Sequence, residues 1–187
     1  MKPHAIIVSP LSESQQKHVI EQTYNYIAKA TDIFGIKNKA VEISFNLKGR
    51  CAGMYRITHG IGRHRRDIRY NAFIFSKFYE DSINTTVPHE VAHYVSDMLY
   101  GLKNIKPHGK EWQAVMQAFG VKANVTSNYD LTGVPLKQMS LFTYQCNCRE
   151  HQLTSIRHNK INKKYFRYFC KSCKQPLKFK HKESASL

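Results

Sequence analysis

The sequence predicts an α+β fold, with one main domain and a small C-terminal module. A long amphipathic helical pattern comes first, three short strand-like segments follow it, and two more helical patterns come next. Residues 121–143 carry weak patterns, and the last 44 residues become basic, aromatic and rich in cysteine. We therefore divide the chain into a domain of residues 1–140 and a module of residues 141–187.

The first helix is predicted over residues 12–34. Ser12 and Gln15 have the spacing of a capping box, in which each side chain bonds the backbone N–H of the other residue. Gly35 gives the stop signal, because glycine readily adopts the left-handed conformation that ends a helix. The residues that recur at helical spacing are Val19, Ile20, Thr23, Tyr24, Ile27, Ala30 and Phe34.

Three strands are predicted over residues 40–47, 52–58 and 68–75, because apolar side chains alternate or cluster there. The first two can pair across the short turn between them, which gives a small antiparallel sheet. Residues 59–67 are rich in glycine and arginine and are predicted to form an exposed loop.

The next helix is predicted within residues 83–99. Its regular part should begin between Thr86 and Pro88, because proline is tolerated in the first turn, and Gly101 should end it. A last helix is predicted over residues 108–119. Its apolar stripe consists of Trp112, Val115, Met116 and Phe119.

The chain is strongly basic, with a net charge of +16 and a pI near 9.7. The charge is densest at the end, since residues 144–187 hold 11 Lys/Arg against 2 Asp/Glu, whereas residues 1–143 hold 18 against 11. A basic segment of this density favours a polyanionic partner, and DNA is the expected one. Solubility alone is the simpler alternative.

No segment of the sequence has the length and apolarity of a secretory signal or a membrane span. We therefore expect a cytoplasmic protein without a membrane partner. In the reducing cytoplasm, the five cysteines are expected to be metal ligands or free thiols rather than disulfides. Cys51 stands apart from the other four and is predicted to be a packing residue.

The central motif is the segment HEVAH at residues 89–93. On a helix, residues i and i+4 lie on one face about 6 Å apart, so His89 and His93 can bind one zinc ion. Glu90 borders the same face and has the position of a general base, which takes a proton from a zinc-bound water and passes it to the leaving amine. The sequence therefore predicts a zinc peptidase.

A catalytic zinc needs a third protein ligand and an open fourth position. One class of zinc peptidase takes a third histidine six residues after the second, and this class is excluded because Leu99 occupies that position. His108 and Glu111 remain as candidates, since imidazole and carboxylate both bind zinc.

Several segments together resemble the SprT family, which groups bacterial SprT proteins with the SprT-like protease domain of eukaryotic Spartan. They are VPHEVAHYV, the following HGKEW, and the cysteine-bearing end with CREHQLTSIRHNKI and CKSCKQPL. The resemblance implies a zincin-like metallopeptidase domain, with helices and a small antiparallel sheet, followed by a zinc-ribbon-like module. It implies that Glu90 is catalytic and that Glu111 lies outside the ligand set. The ligands that it implies for the catalytic zinc are His89, His93 and His108.

A second zinc site is predicted near the C-terminal end. Cys170 and Cys173 have the usual spacing of a zinc knuckle, and Cys146 and Cys148 form a tighter pair upstream. Four thiolates can close a tetrahedral structural site, and the zinc ion would then supply stability that a module with few aliphatic side chains lacks. In the alternative ligand set, His151 replaces Cys146.

Basic and aromatic side chains are interleaved between the two cysteine pairs, a composition that suits phosphate contact and base stacking. At least half of these aromatic residues are nevertheless expected to pack on the module or on the main domain. The predicted nucleic-acid-binding residues are Arg157, Lys160, Lys163, Lys164 and Arg167. The arginines in and just after the predicted loop that could extend this surface are Arg63, Arg65, Arg66 and Arg69.

The leading hypothesis is a zinc-dependent endopeptidase that acts on DNA-associated proteins, with one catalytic and one structural zinc ion. The family's eukaryotic members, which cleave proteins crosslinked to DNA, suggest this substrate class. Strand 68–75 is the predicted edge for pairing with an extended substrate, and Tyr129 or Tyr144 could donate a hydrogen bond to the oxyanion. The alternative is a zinc-ribbon nucleic-acid-binding protein whose histidine site is structural or inactive. A regulator that binds a protein partner through its basic tail is a third hypothesis.

Overall fold

The computed structural model divides the chain into two compact units, Met1–Leu136 and Lys137–Leu187. Each unit combines a three-stranded sheet with helices, so the predicted α+β class is confirmed. Within the described part of the chain, every helix is too short or too polar to cross a membrane. The structure describes residues 7–60, 63–126, 128–136, 140–163 and 165–182.

The first helix, α1 (Glu13–Phe34), has the predicted ends. The hydroxyl of Ser12 accepts from the backbone N–H of Gln15 at 3.3 Å, and the Gln15 amide oxygen accepts from the Ser12 N–H at 3.0 Å. Gly35 closes the helix at φ 61°. The predicted face is buried at Val19, Thr23, Ile27 and Ala30 but not at Tyr24, which is 50% exposed.

The first sheet contains β1 (Val41–Ser44), β2 (Gly53–Gly60) and β3 (Arg63–Tyr70), in the spatial order β1-β3-β2. Strand β3 is central and pairs parallel with β1 and antiparallel with β2. The expected pairing between the first two strands is therefore wrong, and so is the purely antiparallel sheet. The strands adjacent in sequence, β1 and β2, lie at opposite edges.

The arginine-rich residues 59–67, expected as a loop, belong mostly to β2 and β3. Their charges are compatible with a sheet because carboxylates lie beside them. Arg65 forms ion pairs with Glu42 and Asp67. Strand formation here therefore depends on tertiary charge pairing, which the local glycine and arginine content does not reveal.

The predicted strand 68–75 is also wrong in its second half, because the chain turns into helix α2 (Ala72–Lys77). The side-chain oxygen of Asn71 accepts from the N–H groups of Phe73 and Ile74 at 3.1 and 3.4 Å, which caps the new helix. A short apolar run is ambiguous between strand and helix, and this cap decides the outcome.

The later helices agree with the predictions. The regular helix begins at Val87, with Pro88 in its first turn, and ends at Gly101. The stripe predicted for the last helix is buried, and that helix begins two residues later than expected. The elements are α3 (Tyr79–Asp81), a π-helical turn (Ser82–Thr86), α4 (Val87–Tyr100), a 3-10 turn (Leu102–Asn104) and α5 (Lys110–Phe119).

Helix α4 is the centre of the first unit and packs against α1, α5 and β2. Its residues Val87, Val91 and Val95 are fully buried. At its far end, the Asp97 carboxylate accepts from Arg66 of β3 and from the Tyr55 hydroxyl of β2, both at 2.8 Å. The sheet is thus joined to α4 by a buried polar cluster as well as by apolar contacts.

The second unit consists of β4 (Leu141–Gln145), β5 (Glu150–Thr154), α6 (Ser155–Asn162) and β6 (Lys178–Lys182). Its sheet has the order β5-β4-β6, with both pairings antiparallel. Among the described residues of this unit, the buried side chains are few and include Tyr144, Leu153, Cys146 and Cys170. A core this small is consistent with a unit that depends on a metal ion for stability.

Candidate metal centres

Three histidines converge beside α4. His89 and His93 project from adjacent turns of the helix, with ring centroids 5.0 Å apart. His108 lies in the loop before α5, in a left-handed conformation with φ 57°. Its Nε2 atom is 3.0 Å from Nε2 of His89 and 3.1 Å from Nε2 of His93.

This spacing fits a single metal ion. Two ligand nitrogens bound tetrahedrally to zinc at about 2.1 Å lie about 3.4 Å apart, close to the separations found here. Among the described residues, no fourth His, Cys, Asp or Glu joins this group, and Glu111 lies outside it. The donor set therefore fits a three-histidine site with an open position, the arrangement of a catalytic rather than a structural zinc.

The three rings are held in the neutral form that binds metal. Burial, followed by the proximity of His108, lowers the pKa of His89 to about 4. Burial and the two neighbouring histidines lower the pKa of His93 to about 3, and burial lowers that of His108. At neutral pH, each ring can offer a nitrogen lone pair without first losing a proton.

The Trp112 ring packs against the rings of all three histidines. The sequence predicted Trp112 only as a core residue. Its indole N–H donates to the His89 carbonyl at 3.2 Å, and its ring lies within 4.7–5.7 Å of all three imidazole centroids. The Gln113 amide donates to the His108 carbonyl at 3.1 Å. Helix α5 thus positions the ligands from both α4 and the preceding loop.

The Glu90 carboxyl group is buried beside the triad. Burial raises its pKa to about 8, against the opposing effect of a hydrogen bond with the Tyr55 backbone. A bound dication would favour the carboxylate. The side chain fits only because Gly53 lies opposite, since a Cβ there would lie 2.6 Å from both Cγ and Oε1 of Glu90. The isolated glycine in a strand pattern was the available sequence signal for this close approach.

The triad and Glu90 open into a cleft of about 870 Å³. The first residues of β2 form one wall, and the segment after α5 contributes Tyr129, whose hydroxyl donates to Asp81. Of the two tyrosines considered as oxyanion donors, Tyr129 lines the cleft, whereas Tyr144 is buried in the second unit and hydrogen-bonded to His158. Cys51 is exposed and lines the cleft, so its predicted packing role is wrong.

The second group contains the four predicted cysteines, whose sulfur atoms all lie within 4.8 Å of one another. Sγ of Cys148 is 3.4 Å from Cys146 and 3.7 Å from Cys170. Tetrahedral zinc bound to sulfur at about 2.3 Å places sulfurs about 3.8 Å apart, so Cys173 and these three residues fit one structural ion.

The position of His151 bears on the alternative ligand set. Its Nε2 is 3.2 Å from Sγ of Cys146, but it does not belong to the group of mutually close ligand atoms. Backbone N–H groups of Cys173 and Ser172 lower the pKa of Cys170, which favours the thiolate. The geometry favours four cysteines, with His151 as a hydrogen-bonding neighbour of Cys146.

The basic and aromatic residues form an exposed face on the second unit. Lys160 lies over the Phe166 ring at 4.8 Å and Arg157 over Tyr168 at 6.0 Å. The other predicted contact residues, Lys163 and Arg167, are exposed, and Lys164 lies outside the described residues. Of the aromatic residues between the cysteine pairs, Tyr165, Phe166 and Phe169 are exposed and Tyr168 is half-buried, while the Phe166 and Tyr168 rings stack on each other within the module.

The described arginine side chains in and next to the predicted loop of the first unit are engaged in polar contacts. Arg65 and Arg66 form ion pairs with acidic residues, and Arg69 donates to Asn46 at 2.7 Å. The side chain of Arg63 lies outside the described part of the chain. Exposed basic side chains that lie against exposed aromatic rings are found on the second unit, as for Lys160 and Phe166.

Comparison with known proteins agrees with the site geometry. The model of the SprT-like family matches residues 17–134, which include all three histidines. Protein SprT of Vibrio parahaemolyticus is 37% identical over 138 residues, covering 73% of this chain and 77% of that protein. Protein SprT of Actinobacillus succinogenes is 34% identical over 163 residues (86% and 89%), and that of Vibrio atlanticus is 31% identical over 166 residues (88% and 93%). The chain belongs to the SprT-like family.

Proposed function

We propose that this chain is a zinc-dependent endopeptidase of the zincin type. The observation that carries the proposal is the combination of an open three-histidine group with a buried glutamate beside it, at the base of a cleft. Membership in the SprT-like family supports the same conclusion. A structural metal site needs no base next to its ligands.

The residues of the cleft have defined roles in this reaction. When bound, zinc lowers the pKa of a coordinated water to about 7 and polarises the peptide carbonyl. His89, His93 and His108 would hold the ion. The Glu90 carboxylate accepts a proton from the attacking water and returns it to the amine nitrogen of the leaving peptide. Burial of Glu90 excludes bulk water, which strengthens these electrostatic interactions.

The substrate would extend along β2. Strand β3, which covers the first part of the predicted substrate strand 68–75, is paired on both sides, so it has no free edge. Strand β2 lies at the sheet edge, and its first residues, Gly53 to Tyr55, line the cleft. An extended peptide can add to such an edge through backbone hydrogen bonds, which suits cleavage within an unfolded segment.

The decisive experiment is the Glu90→Gln variant, which keeps the size of the side chain and removes its basicity. We expect unchanged zinc binding at the histidine group and a fall of about 10²–10⁴-fold in cleavage of an unfolded protein. Zinc content is measured by elemental analysis and cleavage by fragment appearance. If the zinc-loaded wild type cleaves no protein, with or without DNA, the peptidase function is wrong.

The second part of the proposal is that DNA is a partner, bound by the second unit in the cytoplasm. The supporting observation is the exposed face with Tyr165, Phe166 and Phe169 beside basic residues. Aromatic faces stack on unpaired bases, so single-stranded DNA suits this surface better than a duplex does. Proteins attached to DNA would then be the substrate class.

The DNA test uses charge removal. Replacing four basic residues should reduce the dependence of affinity on salt, by about 0.7 in log–log slope for each lost phosphate contact. The replaced residues are Arg157, Lys160, Lys163 and Arg167, each changed to Gln. The matched control changes four exposed lysines of the first unit: Lys17, Lys37, Lys48 and Lys103. A wild type without salt-dependent affinity would exclude DNA as a partner.

The alternative function is a zinc-ribbon nucleic-acid-binding protein without peptidase activity. It is favoured by the same exposed face of the second unit. It requires a histidine site that is closed or inactive, whereas no fourth ligand joins the histidines among the described residues. DNA binding by a wild type that cleaves no protein would establish this alternative.

A further inference from the structure

The cleft that contains the histidine group carries unpaired positive charge. Arg50, Lys106 and Lys122 line it, and all three are exposed. None of their side chains has an ion-pair partner among the described residues. The acidic groups of the lining are otherwise engaged, since Asp81 accepts from Tyr129 and Glu90 is buried.

Apolar side chains lie between these charges. Met54, Leu102 and Val125 line the same cleft, with 37%, 37% and 50% of their surfaces exposed. Exposed apolar side chains gathered in a concave site usually mark a surface that a ligand covers. The lining thus offers both apolar contacts and cationic partners to an occupant.

We propose that the cleft selects extended peptide segments in which Asp or Glu residues flank an apolar residue near the cleaved bond. This inference rests on the proposed peptidase function. Complementary charges attract more strongly in a cleft than in open water, because low-dielectric walls focus the field. Lys106 is two residues before His108, so its charge lies close in sequence to a ligand of the metal group.

DNA phosphates are the competing occupant of these cations. A peptide fits the observations better, because the cations share a concave cleft with apolar side chains and with the residues proposed for peptide cleavage. The exposed aromatic face suited to bases belongs to the second unit. On a DNA-bound protein, phosphates also cover basic segments and leave acidic segments accessible.

The test uses three fluorogenic peptides with the same apolar centre, flanked by Glu, Gln or Lys residues. With zinc-loaded full-length protein at low salt, we expect kcat/KM to decrease in the order Glu, Gln, Lys. The Glu and Lys peptides should differ by at least about tenfold, and salt should reduce this ratio. The triple variant Arg50→Glu/Lys106→Glu/Lys122→Glu should invert the order.

The matched control is Lys103→Glu, an exposed lysine outside the cleft lining, which should keep the wild-type order. If the triple variant does not fold, the single variants Lys106→Gln and Lys122→Gln should each reduce the ratio. Equal cleavage of the three peptides by wild type would overturn the inference while leaving the peptidase function intact. If the wild type cleaves none of the three peptides and no unfolded protein, both the inference and the proposed peptidase function are overturned. A triple variant that loses DNA binding but keeps the peptide order would assign these cations to DNA and overturn the inference.

Discussion

At the residue scale, the close approach of Gly53 to Glu90 limits which side chain position 53 can carry. A Cβ at position 53 would meet Cγ and Oε1 of Glu90 at 2.6 Å, so Gly53→Ala must displace the carboxylate. We expect about 1–3 kcal/mol lower stability from overpacking and a large loss of cleavage, with zinc retained. Denaturant unfolding, zinc content and peptide cleavage measure the three effects.

A double variant provides the control for Gly53→Ala. Glu90→Asp shortens the side chain by one methylene and removes the clash, so the pair should lose less stability than the sum of the single variants. Additive losses would mean that Gly53 acts through the strand backbone rather than through Glu90.

Trp112 is the second residue whose role extends beyond packing. Trp112→Phe keeps a buried ring but removes the N–H that donates to the His89 carbonyl. Partners outside the ligand set typically contribute 10–100-fold in metal affinity, so we expect zinc affinity to fall by about that factor. Competition with a chelator measures it, and Phe119→Leu on the same helix should leave zinc affinity unchanged. Equal affinities for wild type and Trp112→Phe would limit Trp112 to a packing role.

The candidate site could be predicted from sequence where its chemistry is local. His89, Glu90 and His93 lie within one helical turn and a half, so their spacing alone predicts a shared face. The choice of His108 rather than Glu111 as the third ligand depended on family resemblance. The left-handed loop conformation of His108, which brings it to the site, has no strong sequence signal. Trp112 and Gly53 were missed as site residues because their roles depend on contacts between distant elements.

At the scale of elements, the Asp97–Arg66–Tyr55 cluster joins the sheet to the metal-binding helix. Arg66 and Asp97 have side-chain exposures of 10% and 5%, so removing one partner leaves a buried charge. We expect Arg66→Met to lower stability by about 3–5 kcal/mol. Denaturant unfolding checks this value. Arg65→Met should change stability little, because Arg65 is largely exposed and its buried partner Asp67 keeps the ion pair with Arg56.

A second variant separates charge burial from packing at the same cluster. Replacing all three partners, as in Arg66→Met/Asp97→Leu/Tyr55→Phe, leaves no unpaired polar group, so most of the lost stability should return. A triple variant as unstable as Arg66→Met would show that the cluster matters through shape rather than through charge.

Helix ends could be predicted because their capping signals are local, whereas the pairing of strands that are distant in sequence could not. Capping and stop signals gave the ends of α1 and the start of α4 to within a residue. The sheet order was not predictable, because the parallel pairing of β1 with β3 depends on a crossover rather than on a turn. The arginine-rich half of the hairpin looked like a loop because two of the carboxylates that pair with it, Glu42 and Asp97, come from distant elements.

At the scale of the whole molecule, positive charge is arranged differently in the two units. Arg65 and Arg66 of the first unit are paired with carboxylates, and the unpaired cations described above line its cleft. In the second unit, exposed cations accompany exposed aromatic rings. The net charge alone suggested a polyanionic partner. The distribution of the charge fits two separate proposed roles, which are peptide binding in the cleft of the first unit and DNA binding by the second unit.

The separation of tasks predicts that the cysteine group serves DNA binding and not cleavage. In full-length Cys173→Ser, one of the four close sulfurs is lost, so zinc content should fall by one ion per chain. Because the second unit has so small a core, its sheet should lose stability and DNA affinity should fall, whereas cleavage of a short peptide should persist. Cys51→Ser removes a thiol outside the group and should keep both zinc ions and DNA affinity. Loss of peptide cleavage together with the second zinc ion would show that the first unit depends on the second, and the two tasks would then not be separable.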